Sequence, residues 1–367
     1  MLAAALYQTV YLLIVLGMTL YVMQRYAIVD FSDQERDATF HDWMPWALTL
    51  FLVLFIGLRP VSGRYFVDMA NYNASYKALL WGKTFLFKWD TDNIIFDNLF
   101  VFLGSKKIPV EYFFLMMASM YFIFMAVACR KLFPKDMLLS LLVYLGAFST
   151  FSYGTNGIKA GVAASLFLMA IAYWENKRVV IIALLLSIGF HHSMVVPVAA
   201  FVIAYLYRNP LFFLGGWLLC LFLAAIHDTS FMEFFSGLTD EHGASYLDSN
   251  VKDAVLYVSG FRPDFILYSA IPIFLGYYFI QTNKIESDTY NFLWCTYTLT
   301  NCVFLLCTYG TFINRIAYLS WLMYPFVLLY PFLNVDLGEY HYRHLRYAVY
   351  GHLCFTLFMF FYYEYLR

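Results

Sequence analysis

The chain has 367 residues, 62% of them hydrophobic and 13% charged, with a mean hydropathy of +0.66. A water-soluble domain of this size has no use for so much apolar surface, so the composition points to lipid as the solvent. A net charge of −1 offers nucleic acid no basic face, and the six cysteines (Cys129, Cys220, Cys295, Cys302, Cys307, Cys354) lie in apolar stretches without paired metal-ligand spacing, as small core residues.

A helix needs roughly 20 apolar residues to cross a bilayer, and uncharged stretches of about that length recur with little sequence between them. In chain order the predicted spans are 2–23, 43–58, 109–129, 137–152, 158–174, 178–190, 195–207, 211–226, 264–281, 288–308, 311–333 and 345–364. The first lacks a basic leading region and a small-residue cleavage site, so it reads as a retained span rather than a signal peptide. The predicted fold is all-α, a polytopic transmembrane helical bundle of about 11–12 spans forming a single domain over 1–367.

Three segments are long enough to hold polar structure outside the lipid: 24–42, 59–108 and 227–263. Within the second, the apolar stretch Asn93 to Leu103 suits a helix lying along the interface, or a re-entrant element. The uncharged run from Val179 to Tyr207 is interrupted only by His191 and His192. It reads either as one long span or as two short spans folded at the histidines. Basic residues beside spans are kept on the cytoplasmic side, and Arg25, Arg36, Arg130, Lys131, Lys135, Lys177, Arg178, Arg208, Lys284, Arg343 and Arg346 share one side only in the folded reading. That reading is adopted, with Pro197 just after the bend. Segment 59–108 then falls outside although it carries several Lys and Arg, in company with aspartates.

Under this topology the unusual polar residues all fall at the outer face: Arg59, Arg64 and Asp68 after the second span, Lys159, His191 and His192, and Arg315. Lys159 follows the predicted turn Tyr153-Gly154-Thr155-Asn156-Gly157, in the first turn of a helix, where free N–H groups and the dipole favour an anion. Arg315 repeats the arrangement after a turn and cap at Gly310-Thr311. Two helix N-termini, each with a cation, suit a diphosphate. The plainer reading of a lone Arg or Lys near a span end is snorkelling to the interface; Arg315 lies deeper, where a charge is costly and faces a cavity or partner.

His191 and His192 are either satisfied interface histidines or a base titrating near neutrality, and a poor metal pair because adjacent side chains on a helix diverge. Asp90-Thr91-Asp92 has the spacing with which many nucleotide-sugar transferases hold a metal, but helix capping is the commoner use of so short a pattern. The 32 tyrosines and 39 phenylalanines permit stacking on sugar rings, while most serve lipid-facing or core positions.

Taken in order, Gly57-Leu58-Arg59-Pro60-Val61-Ser62-Gly63 with Asp68-Met69 and Asn71-Tyr72, Asn156-Gly157-Ile158-Lys159, Phe190-His191-His192-Ser193, and Asn314-Arg315 with Tyr318 resemble the EpsG-like group of Wzy-type polysaccharide polymerases. The resemblance covers about residues 50–335. Arg59, Gly63, Asp68 and Tyr72 fit the family's first motif with a few extra residues before the Asp. An Arg usually stands at the position of Lys159, so a bidentate grip on phosphate becomes a point charge here. The family's H-x-S pattern is met by His191 and Ser193.

The resemblance implies a fold related to the integral-membrane C-type glycosyltransferases. It implies polymerisation of undecaprenyl-diphosphate-linked oligosaccharide repeats, for capsule, exopolysaccharide or O-antigen, at the outer face of a bacterial inner membrane. His191, Asp68 and Arg315 are the implied catalytic residues. Arg59, Arg64, Lys159, Tyr72, His192, Ser193, Asn156 and Asn314 are the implied substrate- and diphosphate-binding set. The chemistry requires no metal and no cofactor. Implied partners are the lipid-linked oligosaccharide, membrane lipid, and a chain-length regulator or other polysaccharide-assembly proteins. A ligase moving a finished glycan from the same carrier, a flippase or transporter, and a membrane acyltransferase are the rival readings. One-sided polarity and the lack of an evident internal repeat speak against the transporter.

Overall fold

The structure, a computed structural model, describes residues 2–27, 40–80, 84–236, 260–282, 285–310, 313–335 and 337–362. Among these residues all regular structure is helical. Among the described residues each of the twelve predicted spans is largely helical, because long apolar segments in lipid must satisfy their backbone groups internally. Four helical stretches, Ala4–Tyr26, Val110–Leu132, Pro263–Gln281 and Ile313–Asn334, are long and apolar enough to cross a membrane, and further apolar helices are shorter.

The chain divides into two compact units, residues 1–190 with 336–367, and residues 191–335. The first contains α1 (Tyr7–Tyr26), α2 (Trp43–Gly57), α3 (Val67–Leu79), α4 (Ile94–Ser105), α5 (Val110–Leu132), α6 (Met137–Leu145), α7 (Thr150–Thr155), α8 (Ile158–Ala172) and α9 (Lys177–Phe190). The second contains α10 (Val195–Leu206), α11 (Pro210–Ala225), α12 (Ser230–Ser236), α13 (Pro263–Gln281), α14 (Asp288–Leu306), α15 (Ile313–Trp321) and α16 (Tyr324–Asn334). The C-terminal α17 (His341–Phe361) returns to the first unit, where it packs on α1 and α6.

Helix α8 is the centre of the first unit, packed between α5 and α9 and touching α7. Its Gly161, Ala163, Ala164 and Ala170 are small residues that let neighbouring backbones approach, as helix contacts in lipid favour. At Gly161 the approach is closest: a Cβ there would lie 2.6 Å from the carbonyl oxygen of Tyr153. The hydroxyl of Ser187 on α9 donates to the carbonyl of Ala163 at 2.7 Å, fixing α9 on α8. Helix α14 has the corresponding place in the second unit, in contact with α10, α11, α13, α15 and α16.

Three features depart from the spans as predicted. The stretch 137–152 is interrupted after Leu145, and 311–333 after Trp321, so each holds two short helices. The polar segment 59–108 contains α3, which the sequence did not announce: its two buried side chains, Met69 and Tyr76, are seven apart on one face, among alanines, asparagines and other small or polar residues that give no amphipathic stripe. The run from Val179 to Tyr207 is broken at His191, whose backbone is extended (φ −151°, ψ 114°) before a 3-10 turn over His192–Met194. Most of segments 24–42 and 227–263 lies outside the described residues.

Candidate functional site

In the first unit the chain leaves α2 at Leu58 and enters a short irregular loop. Arg59 is 4% exposed. One terminal nitrogen donates to the carbonyl of Ile56 at 2.6 Å, the other to the carbonyl of Thr155. Its guanidinium carbon sits 5.4 Å from the ring centre of Phe66 and 5.8 Å from that of Phe114. No carboxylate pairs with it among the described residues. Burial lowers its pKa to about 10, which leaves it protonated at neutral pH.

Arg59, one of the implied diphosphate-binding residues, bridges the C-terminal ends of α2 and α7, where unpaired carbonyls concentrate. Arg64, by contrast, is exposed, its guanidinium carbon 5.4 Å from the ring centre of Tyr65.

The loop from 63 to 65 turns into α3, and Asp68 is the second residue of that helix, half-buried in its first turn. One turn on, Tyr72 packs edge-on against Phe96 and Phe100 of α4, with ring centres 5.5 and 6.1 Å away. Tyr72 is thus a link between α3 and α4, a role the sequence did not signal.

Because Arg59 holds Thr155, the first motif is bound directly to the second. Asn156 follows at the end of α7, and its side-chain oxygen is out of solvent with no hydrogen-bond partner among the described residues. Gly157 is the N-cap of α8 and Lys159 its second residue, half-buried, as the sequence predicts. The predicted turn over 153–157 is the end of a short helix followed by the turn.

In the second unit His191 and His192 are half-buried and Ser193 is buried. The His191 carbonyl accepts from the amide of Met194 at 3.0 Å, closing the turn that precedes α10. Asn314 and Arg315 are the second and third residues of α15, Asn314 half-buried and Arg315 exposed. The predicted cap at Thr311 lies outside the described residues. Helix α10, which follows the His191 turn, packs on α15, which carries Arg315.

What fixes α15 is its far end. The indole N–H of Trp321 donates to the Ser269 hydroxyl at 2.7 Å. The Asn301 amide donates to Ser320 at 2.9 Å and its oxygen accepts from Trp217 at 2.8 Å. Asn301 is fully buried in α14, and a polar residue in the middle of a predicted span was the available signal that it had partners. Asn301→Leu is expected to strand the Trp217 and Ser320 groups. Stability should fall by about 1–3 kcal/mol, read as a lower melting temperature of the detergent-solubilised protein.

Asp90 and Asp92 are exposed and α4 begins after Asn93, so neither is its N-cap. Among the described residues no three His, Cys, Asp or Glu side chains gather as a metal ion would need.

No curated protein and no solved structure matches the chain. The family model of the EpsG family matches residues 42–367, a stretch that contains every motif described above. The chain is therefore a membrane-embedded member of the EpsG family, a family of polysaccharide-polymerase-type, glycosyltransferase-like proteins.

Proposed function

We propose that the protein polymerises undecaprenyl-diphosphate-linked oligosaccharide repeats at the outer face of a bacterial inner membrane. The observation that carries this reading is the placement of Lys159 and Arg315. They are distant in sequence, yet each occupies the first turn of an apolar helix, within motifs of a glycosyltransferase-like family.

In the proposed step the acceptor sugar hydroxyl of one lipid-linked repeat attacks the anomeric carbon of the growing chain. The new glycosidic C–O bond forms as the bond to diphosphate breaks, and undecaprenyl diphosphate leaves with the electron pair. The hydroxyl proton passes to His191 or Asp68. Lys159, Arg315 and the exposed Arg64 take up the charge developing on the diphosphate. Asn156 and Asn314 hold polar groups of the same substrate, with His192 and Ser193 supporting His191. Arg59 is assigned as a positioning residue, which its burial and carbonyl partners support. The proposal needs no metal, because diphosphate is already a good leaving group and these cations supply the positive charge.

The test is to incubate the purified full chain with a lipid-linked repeat unit, with and without chelator, and to resolve the products on a gel. A ladder of repeats that survives the chelator supports a metal-independent polymerase. Transfer of one glycan without a ladder identifies a ligase, and a ladder lost on chelation returns the metal. Asp68→Asn and His191→Gln separate the two candidate bases: the base variant is expected to lose the ladder at neutral pH and keep binding of the lipid-linked repeat.

A further inference from the structure

Among the described residues outside the helices, the two most exposed large apolar side chains, Trp89 and Leu86, lie in the segment before α4. Leu86 is 74% exposed, Phe87 49% and Trp89 81%. The segment cannot fold away to hide them, because Asn98 of α4 pins it. The Asn98 side chain accepts from the Lys88 amide at 2.8 Å and donates to the Lys88 carbonyl at 2.8 Å, as a neighbouring strand would. Asn98 is itself buried, and it also donates to the Ile94 carbonyl at 2.7 Å. Phe85 packs edge-on against Phe102, with ring centres 5.3 Å apart, so the segment is clamped at two points.

Helix α4 has 12 residues, about 18 Å at 1.5 Å per residue, against a hydrocarbon layer of about 30 Å. It is apolar yet too short to cross. The exposed cations Lys88, Lys106 and Lys107 flank the apolar side chains, and the Lys106 ammonium lies 5.8 Å from the ring centre of Phe102. Aromatic and aliphatic side chains beside lysines are what the boundary between headgroups and acyl chains accommodates.

We propose that residues 84–107 form a preorganised interfacial anchor, with Leu86, Phe87 and Trp89 inserted among phospholipid acyl chains and the lysines at the phosphates. The occupant is lipid rather than glycan because Leu86 offers a sugar no ring to stack on, and because this unit also contains helices long and apolar enough to cross a membrane, Ala4–Tyr26 and Val110–Leu132. The anchor also bears on a functional motif. Ile95 of α4 fits the notch at Gly189, where a Cβ would lie 2.5 Å from the Ile95 side chain, two residues before His191. This inference is independent of the glycan-transfer reading.

The test uses the full chain in vesicles of phosphatidylcholine and phosphatidylglycerol. Emission of wild type minus that of Trp89→Phe isolates Trp89 from the other seven tryptophans. The expected difference spectrum is blue-shifted, loses about half its intensity or more when the lipid tails are brominated, and hardly responds to aqueous iodide. Strong quenching by iodide overturns the proposal, because Trp89 then faces water. Insensitivity to both quenchers also overturns it, because protein then covers the ring.

Discussion

Arg315→Ala is expected to cut the rate of polymer formation by about a hundredfold or more, a loss of about 2.7–4 kcal/mol of transition-state stabilisation. The size follows from the proposed step, in which the carbon–oxygen bond to diphosphate breaks and Arg315 would hold part of the charge that develops on its oxygens. The fold should not suffer, because the Arg315 side chain is exposed while α15 is anchored through Ser320 and Trp321. The melting temperature is therefore expected to match that of wild type while the repeat ladder disappears. Lys159→Ala should behave alike, and Lys159→Arg should retain activity, since the guanidinium fork suits phosphate better than an ammonium. A full ladder from well-folded Arg315→Ala and Lys159→Ala proteins would remove the diphosphate role from both.

For Arg59 the expected result is the reverse in kind. Arg59→Ala leaves the carbonyls of Ile56 and Thr155 without their donor, at about 1–3 kcal/mol for each orphaned group, and opens a gap beside Phe66 and Phe114. The melting temperature should fall clearly, and activity with it, because Thr155 leads directly into Asn156 and Lys159. Arg59→Lys should recover only part of the stability, since one ammonium cannot reproduce the two-pronged reach of a guanidinium. Thermal melting and ladder assays on the same preparations decide the matter. An Arg59→Lys protein as stable as wild type but without product would place Arg59 on the substrate instead.

The residues of the family motifs show how differently sequence and structure contribute. The position of Lys159 in the first turn of α8 was legible beforehand, because Gly157 marks a helix start and everything after Lys159 is apolar. The break at His191 was legible through the distribution of cations along the whole chain. The carbonyl bridge that Arg59 makes was not legible, because nothing local says that Thr155, 96 residues on, offers it an acceptor. Helix α3 was missed because its apolar and polar residues are interspersed and only Met69 and Tyr76 are buried, which gives little periodic signal.

The sequence alone determined the all-helical membrane class and where the long apolar helices lie, since the bilayer demands long apolar segments with internally satisfied backbones, a local property readable residue by residue. Only the tertiary structure decided the grouping of the helices into two compact units, the bridging of α2 to α7 by Arg59, and the anchoring of α15 through Asn301. Those depend on which apolar helix packs against which, and helices that look equally greasy to lipid are sorted by small residues and buried hydrogen bonds that act across the fold.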